Sequence, residues 1–388
     1  MSDLENVDWD LRECDTDIYA SQIHPYPAKF IPQIPSRFIE EYTEEGDVVL
    51  DPFNGSGNST MMAGIKNRKG YGFDLNPLSC MIARAKIRDY DMDYMNSKFK
   101  ELSNNIDSNI DVVKKDKKYE GHVEEIENVP VDIPDIPDRY SWFVPEVLNQ
   151  IGLIKHHIDS IDDKAARCFY HVNLSSVLKR VCRSKEDYTF IGDNMLPDSE
   201  TNQLEPDNEV YNVLDEFENK VEKNLERIRK VSSEDPVIPK ISCMDFRKSN
   251  LDEEVDLTVT SPPYACAVDY ARYHRLSFYL FGFPVGDTRD DEIGARSKRG
   301  RKNAVQDYLD EVRTVYERVY NYTKSGGKFV IVVGDSQRKN KKLEIPQKTL
   351  KICEDIGFSH NKTIEREISG QSMGQKKIKK EDMIILEK

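Results

Sequence analysis

The sequence VVLDPFNGSG, residues 48–57, constrains the fold more than any other part of the chain. Val48 to Phe53 is an apolar run that ends in Asp-Pro, which is typical of a buried strand, and a helical pattern begins near Ser59. Another strand, Gly70 to Leu75, and another helix, from about Pro77 to Ile87, follow it. Strand, glycine turn, helix and strand at this spacing predict a parallel βαβ unit.

Strands and helices alternate again after about residue 236. The strands predicted there are Val237–Met244, Val255–Thr260, Lys328–Val333, Phe358–Arg366 and Asp382–Leu386. Together with the first two strands they predict one seven-stranded, doubly wound α/β sheet. The segment between the two parts is instead rich in Asp, Glu, Lys and Asn, and its clearest pattern is an amphipathic helix. We therefore expect a large, mainly helical insertion in the sheet.

Composition excludes several classes of protein. The net charge of −14 over 388 residues excludes a globally basic nucleic-acid binder, although a local basic patch is still allowed. No apolar run approaches the ~20 residues of a membrane helix, and the acidic start MSDLENVDWD does not resemble a secretory signal. The 7 cysteines form no CxxC pair, so we expect buried thiols in the cytoplasm, with no disulfide framework and no metal site.

Two features of the βαβ unit predict a cofactor that carries adenosine. The small residues 55–57 allow a ligand to approach the backbone, and the helix that follows presents free N–H groups. A plain tight turn is the alternative explanation of this motif. Asp74 follows Gly55 by 19 residues, the spacing at which an acidic side chain commonly binds ribose hydroxyls. Capping of the helix near Pro77 is the alternative role for Asp74.

A third feature is the sequence SPPY, residues 261–264, directly after the strand Val255–Thr260. Two consecutive prolines remove two N–H donors but leave their carbonyls, so this turn can accept hydrogen bonds from an amino group. Tyr264 offers a flat face on which a base can stack. Because the carboxyl ends of parallel strands meet at one edge of a sheet, this turn and the glycine turn should face the same crevice.

Together, DPFNGSG, GFDLNP and SPPY resemble the amino-methyltransferases that modify DNA with S-adenosylmethionine. The SPPY form most resembles the N4-cytosine branch of that family. The sequence HPYPAKF, residues 24–30, resembles the segment that precedes DPF in the family and closes over the methionine moiety of the cofactor. The resemblance covers about residues 20–88 and 236–388.

The resemblance implies a Rossmann-like methyltransferase fold with S-adenosylmethionine as cofactor. It implies methyl transfer to the exocyclic N4 amine of cytosine in double-stranded DNA, with the target base flipped out of the duplex. The biological setting that it implies is restriction–modification or defence, in which a cognate restriction endonuclease is a candidate partner.

The same resemblance implies roles for individual residues. The residues that it places around the cofactor are Lys29, Phe30, Asp51, Phe53, Gly55, Gly57, Asp74, Asp245 and Phe246. Of these, Asp74 would hold the ribose, and Asp245 would contact the adenine. The residues that would hold the target base and support catalysis are Ser261, Pro262, Pro263 and Tyr264.

A basic run in the acidic chain predicts contacts with DNA phosphates. Residues 295–302 hold five basic side chains in eight, and these are Arg296, Lys298, Arg299, Arg301 and Lys302. A solvated loop is the alternative. We predict three units along the chain: a flexible acidic arm (1–20), a catalytic domain (21–90 with 236–388) and the helical insertion (91–235), which is a second candidate for target recognition.

Other functions are compatible with the motifs alone. They are N6-adenine methylation of DNA or RNA, methylation of a guanine amine in structured RNA, and nucleic-acid binding by a non-catalytic subunit of the same fold. Asp51, Asp74 and SPPY are intact, which favours catalysis. Cys266 is not preceded by Pro, as the nucleophile of ring-carbon methyltransferases would be, so we predict that it is a packing residue.

Overall fold

A computed structural model of the protein describes residues 7–11, 14–115, 124–183, 211–265, 268–335, 337–338, 341–368 and 380–388. Its strands are β1 (Val48–Asp51), β2 (Lys69–Asp74), β3 (Glu125–Ile126), β4 (Val129–Pro130), β5 (Lys240–Cys243), β6 (Val255–Thr260), β7 (Thr323–Gly334), β8 (Gln337–Arg338), β9 (Lys341–Lys342), β10 (Ser359–Glu367) and β11 (Lys380–Glu387). Its helices are α1 (Gln33–Tyr42), α2 (Asn58–Ile65), α3 (Pro77–Lys86), α4 (Met92–Val113), α5 (Arg139–Trp142), α6 (Pro145–Asp159), α7 (Lys164–Val181), α8 (Val213–Ser232), α9 (Tyr270–Tyr273), α10 (Arg275–Phe281), α11 (Val285–Asp291), α12 (Ala304–Tyr322) and α13 (Ile345–Ile356). Cys266 lies outside the described residues.

The predicted seven-stranded sheet is confirmed, with the strand order β10-β11-β7-β6-β1-β2-β5. Strands β5, β2, β1, β6 and β7 are parallel, and β11 is antiparallel to both of its neighbours. From β1 the chain continues to β2 and β5 on one side, and later to β6 and β7 on the other. The strand order therefore reverses between β1 and β6, and such a switch point opens a crevice at the carboxyl ends of the two strands.

Both faces of the sheet are covered, because neighbouring residues on each central strand pack against different helices. Val48 and Leu50 of β1 lie in the core that α12 and α13 complete, whereas Val49 lies in the core formed with α1, α2 and α3. All six residues of β6 are buried. Strands buried along their whole length are expected in a parallel sheet with helices on both sides. The strand ends are thus where polar side chains of the sheet can reach a ligand.

The predicted helical insertion is also confirmed. Helices α4, α6, α7 and α8 pack on one another, and α7 packs on α3 and on α10. Their apolar side chains belong to the same continuous core as α1, α2 and α3. The insertion therefore shares a core with the sheet, although the predicted domain boundaries remain a prediction.

The sequence analysis did not recognise helix α4, which is 22 residues long. Its buried side chains are widely spaced and separated by Asn, Asp, Ser and Lys, so the segment resembled a polar linker. The buried side chains of α4 lie on a single stripe along the helix, and they are Met95, Leu102, Ile106, Ile110 and Val113. The side chain of Asp91 caps the helix by accepting hydrogen bonds from the amides of residues 93 and 94, both at 3.0 Å.

The described part of the predicted acidic arm packs against α1. Trp9 is buried and stacks on Phe38, with ring centroids 4.9 Å apart, and Arg37 lies 5.2 Å over the Trp9 ring. These contacts hold residues 7–11 against the side of the sheet that carries α1. In the part of the chain described here, no helix has the length and hydropathy needed to cross a membrane.

Gly57 sets the distance between α2 and α3. It has a φ of +81°, and a Cβ at this position would lie only 2.5 Å from the Cβ of Ala83 on α3. Gly46 has a similar φ of +88°, but nothing lies within 4 Å of a Cβ there. Both glycines therefore have a backbone conformation that residues with a Cβ seldom adopt, but only Gly57 also lacks space for a Cβ.

We expect Gly57→Ala to lower the free energy of unfolding by about 3 kcal/mol or more, because backbone strain and overlap with α3 add together. The control, Gly46→Ala, should lower it by about 1 kcal/mol from backbone strain alone. Urea unfolding of both variants measures the difference. Equal losses would show that α3 moves aside at little cost.

Candidate functional site

A cavity that opens to solvent lies at the carboxyl ends of β1, β2 and β6. The predicted site residues on its wall are Lys29, Phe30, Asp51, Phe53, Gly55, Asp74, Asp245, Phe246, Ser261 and Pro263. The fold therefore brings the glycine turn, the Asp74 strand end and the SPPY turn to a single cavity.

Three predicted site residues lie off this wall. Gly57 packs against α3, and Pro262, the second residue of the SPPY turn, is buried. Tyr264 donates its hydroxyl hydrogen to the carboxylate of Glu381 on β11. Glu381 is also paired with the buried Arg366 at 3.6 Å. The roles predicted for these three residues around cofactor and base remain predictions.

Asp51 joins the three elements that meet at the switch point. Its carboxylate accepts hydrogen bonds from the amide of Phe53 at 3.0 Å, from the hydroxyl of Thr260 at 2.5 Å, and from the hydroxyl of Ser59. Burial raises the pKa of Asp51 to about 6, and these hydrogen bonds oppose that rise. The side chain thus ties the end of β1 to the end of β6 and to the start of α2.

Asp74 supports the glycine turn instead of capping α3. Its carboxylate accepts hydrogen bonds from the amide of Gly55 at 2.7 Å and from the amide of Asn76 at 2.8 Å. The cap of α3 is Asn76, which accepts from the amides of Leu78 and Ser79. Burial raises the pKa of Asp74 to about 6, against the lowering effect of the two amides. Since each carboxylate oxygen can accept more than one hydrogen bond, Asp74 can still bind a hydroxyl in the cavity.

Asp245 and Phe246 follow β5 and form the side of the cavity beyond β2. Asp245 is held by Arg247, whose Nε lies 3.0 Å from both carboxylate oxygens and whose Nη2 lies 2.8 Å from one of them. Burial raises the pKa of Asp245, but the ion pair lowers it more, so the group is anionic at neutral pH. Phe246 packs edge-on against Phe73, with centroids 5.0 Å apart. Together they present a negative charge beside an aromatic surface.

Two tyrosines, Tyr26 and Tyr270, form an aromatic wall of the cavity. The rings of Tyr26 and Tyr270 stack with centroids 5.8 Å apart, and both residues line the cavity. The Tyr26 hydroxyl lies 2.8 Å from the hydroxyl of Ser79, which fixes its ring. Because 244 positions separate the two tyrosines in the sequence, only the fold shows that they act together.

Glu292 is a buried acid on the cavity wall that the sequence analysis missed. It accepts hydrogen bonds from the amide of Ala271 at 2.7 Å and from the amide of Tyr270 at 3.2 Å. Burial, and then the charge of Asp269, raises its pKa to about 8. No local signal distinguished it, since it stands in the acidic run DDE just before the basic residues.

Lys86 brings a buried amino group to the start of α2, and it was not predicted from the sequence. It is fully buried, and its ammonium donates to the hydroxyl of Ser56 at 3.2 Å and to the side-chain oxygen of Asn58 at 2.5 Å. Both of these partners line the cavity. Burial lowers the pKa of Lys86 well below its ordinary value, and the charge of Lys29 lowers it further. Among the described residues no carboxylate is bonded to Lys86, so this part of the cavity suits an anion.

Comparison with known proteins agrees with this site. A family model of N6 and N4 methyltransferases, described as DNA methylase, matches residues 3–85. The Type II methyltransferase M.MjaII of Methanocaldococcus jannaschii is 24% identical over 88% of this chain and 78% of its own length. The Type II methyltransferase M.MvaI of Kocuria varians is 27% identical over 74% of this chain and 64% of its own length, slightly less than two thirds of it. The resemblance to S-adenosylmethionine-dependent DNA methyltransferases is confirmed.

A solved structure was also compared with the chain. A protein from Thermus thermophilus assigned as a DNA modification methylase, in complex with S-adenosyl-L-methionine, is 22% identical. The match covers 37% of this chain and 53% of that protein, with a TM-score of 0.25.

The five side chains of the basic run beside the cavity differ in how far the fold buries them. Lys298 is largely buried, donates to the carbonyl of Glu292 at 2.7 Å and pairs with Glu311 at 3.4 Å. Arg296 is half-buried, and its pKa is lowered by burial and then by the nearby charges of Arg299 and Arg272. The exposed side chains of the run are Arg299, Arg301 and Lys302. Contact between this run and DNA phosphates remains a prediction, and Lys298 is bonded within the protein.

We expect Glu292→Gln to change how stability depends on pH. The folded protein holds a proton on Glu292 up to a pKa of about 8, whereas the unfolded chain releases it near the ordinary value of 4.5. The contribution of Glu292 to the free energy of unfolding is therefore at its full value below about pH 4.5, and it decreases as the pH rises toward 8. Between about pH 5 and pH 9 the free energy of unfolding of the wild type should fall by about 2 kcal/mol or more. The variant should not show this fall, because glutamine has no proton to release.

Urea unfolding at several pH values measures this difference, with the exposed Glu317→Gln as the control. The control should follow the wild-type profile. Parallel profiles for all three proteins would mean that Glu292 is ionised throughout.

Proposed function

We propose that the chain transfers a methyl group from S-adenosylmethionine to the exocyclic N4 amine of cytosine in double-stranded DNA. The observation that carries this proposal is that Ser261 and Pro263 line the same cavity as Asp51 and Asp74. A turn that accepts hydrogen bonds from an amine and a turn suited to an adenosine cofactor thus lie within one site. Direct transfer requires this proximity, because the acceptor amine and the methyl group must meet without an intermediate carrier.

The cavity wall has groups that match each part of S-adenosylmethionine. The carboxylate of Asp74 suits ribose hydroxyls, and the aromatic rings of Phe53 and Phe246 suit a flat base beside the anionic Asp245. The buried Lys86, acting through Ser56 and Asn58, suits the carboxylate of the methionine part. When bound, this cofactor supplies a methyl group made electrophilic by its sulfonium.

The chain's own residues would activate the amine by accepting its hydrogens. The amine lone pair of cytosine is delocalised into the ring, which makes it a weak nucleophile. Hydrogen bonds from the amine to the Ser261 hydroxyl and to the Pro262 carbonyl would localise this lone pair toward the methyl group. The nitrogen would form its new bond to the methyl carbon as the sulfur–carbon bond breaks, and the methylated amine would pass one proton to water at the open side of the cavity. No covalent bond to the protein is needed.

A base within a duplex cannot enter this cavity, so the target cytosine would be flipped out of the helix. The aromatic wall of Tyr26 and Tyr270 gives the site a stacking surface in addition to the predicted Tyr264. The exposed members of the basic run, which follow Glu292 and Ile293 of the wall, would then contact phosphates at the cavity edge.

N6-adenine in DNA is the second candidate target. The matched family covers both N6 and N4 methyltransferases, and the same acceptor geometry serves either amine. The SPPY sequence favours cytosine through its resemblance to the N4 branch. A restriction–modification setting, a cognate endonuclease and a cytoplasmic location belong to the same proposal.

We expect nucleoside mass spectrometry to find N4-methylcytosine in DNA from cells that express the wild type. A double variant, Ser261→Ala with Pro263→Ala, should lower the mark by about 100-fold or more, because the acceptor turn is altered. Ser108→Ala, an exposed serine on α4, is the control and should leave the mark unchanged. N6-methyladenine in place of N4-methylcytosine would contradict the base assignment, and the absence of both would contradict DNA methylation.

We also expect Lys86→Met to weaken binding of S-adenosylhomocysteine by about tenfold, because the buried positive charge beside the cofactor carboxylate is lost. Binding of 5′-methylthioadenosine, which has no carboxylate, should change less than twofold. Calorimetry with both ligands measures the two effects, and Lys100→Met on the exposed face of α4 is the control. Equal weakening of the two ligands would assign Lys86 a purely structural role.

A further inference from the structure

The segment 22–30, which we call the lid segment, lies between the cavity and the helical insertion. The residues on its cavity side are Tyr26, Ala28, Lys29 and Phe30. Ile23 and His24 are buried and bond to the insertion instead. The lid segment is therefore in contact with the proposed cofactor site on one side and with α7 and α8 on the other.

Helix α8 binds the backbone of the lid segment from one face. Asn224 is fully buried, and its amide donates to the carbonyl of Ile23 at 2.9 Å and to the side-chain oxygen of Asn173 on α7 at 2.6 Å. Lys220 and Arg227 each reach the carbonyl of Gln22 at 3.5 Å. Positions 220, 224 and 227 are spaced to lie on one side of a helix. Three successive polar contacts of α8 thus fix the start of the lid segment.

Helix α7 binds the lid segment through His24. Burial lowers the pKa of His24 to about 3, so its ring is neutral at physiological pH. Its Nδ1 donates to the carbonyl of Pro25 at 2.7 Å, and its Nε2 lies 3.0 Å from the hydroxyl of Ser175. The hydroxyl of Ser175 also lies 2.8 Å from that of Ser277 on α10. The lid segment is thereby linked to α10, the second helix after the SPPY turn.

The backbone of the lid segment is strained where it faces the cavity. Ala28 has a φ of +50°, in the left-handed region that residues with a Cβ seldom adopt. Such a conformation costs about 1 kcal/mol or more and persists only where surrounding contacts enforce it. Asn58 of α2 donates to the carbonyl of Phe30 at 2.7 Å and Tyr26 bonds to Ser79 of α3, while α7 and α8 fix the start of the segment at residues 22–24. The strained residue therefore lies between these two sets of contacts.

We propose that the helical insertion positions the lid segment over the cofactor cavity, with Asn224 and His24 as the main positioning residues. This gives the insertion a role in cofactor binding, where its sequence suggested target recognition. The identity of the ligand as S-adenosylmethionine rests on the proposed function. The effect on the conformation of residues 22–30 does not depend on it.

The test compares Asn224→Ala with Asn219→Ala, an exposed asparagine on the same helix. Asn224→Ala should weaken binding of S-adenosylhomocysteine by about tenfold, since it leaves the Ile23 carbonyl and its helix partner without a donor. The KM for S-adenosylmethionine should rise by a similar factor, and the KM for DNA should stay within about twofold of the wild type. Asn219→Ala should change none of these values. Ser175→Ala is a milder second variant, should Asn224→Ala unfold the protein.

Hydrogen exchange without ligand separates this proposal from the proposed function. Amides of residues 22–30 should exchange at least about tenfold faster in Asn224→Ala than in Asn219→Ala, whatever the chain binds. Unchanged exchange and unchanged cofactor affinity would overturn the proposal. A raised KM for DNA with normal cofactor binding would also overturn it and would return the insertion to target recognition. Faster exchange in a protein whose wild type binds no S-adenosylhomocysteine would support the positioning role and refute the proposed cofactor.

Discussion

The buried carboxylate of Asp51 is the interaction on which the rest of the site depends. It lies where the strand order of the sheet reverses, and it accepts hydrogen bonds from the amide of Phe53 and from the hydroxyls of Ser59 and Thr260. Burying a carboxylate is costly unless such donors surround it. These donors come from β6, from α2 and from the turn between β1 and α2. One side chain therefore joins the ends of two strands across the switch point, and its bond to Thr260 spans 209 positions of the sequence.

The electrostatics of the cavity follow from the way its charged groups are held. Asp74 and Glu292 are fixed by backbone amides, and burial raises the pKa of both. Lys86 is fixed by two neutral side chains, and burial lowers its pKa. Fixed groups of both signs that are shielded from water interact more strongly with a ligand than exposed ones do. A ligand that carries both a carboxylate and positive charge is the best match for such a wall.

The insertion shows how a large addition can be built into an α/β sheet without disturbing its site. Its helices continue the core that covers one face of the sheet, and its polar side chains are used on the segment that borders the cavity. Asn224 and Asn173 form a fully buried amide pair, which is tolerated because their hydrogen bonds are satisfied by one another, by Arg227 and by the backbone. The insertion and the cofactor side of the protein are therefore joined by specific polar contacts as well as by packing.

The seven strands, the doubly wound sheet and the three motifs could be predicted from the sequence alone, because strand periodicity and turn chemistry are local properties. Parallel strands then place their carboxyl ends together, so a shared site for Asp51, Asp74 and SPPY was predictable. The tertiary structure was needed to show that Glu292 borders that site, that Lys86 lies behind its Ser56 and Asn58, and that Lys298 is bonded within the protein. Their neighbours come from distant parts of the chain, and no local pattern distinguishes a buried charge at a cavity from a solvated one. The fold supplies the burial and the partners that give these side chains their chemistry.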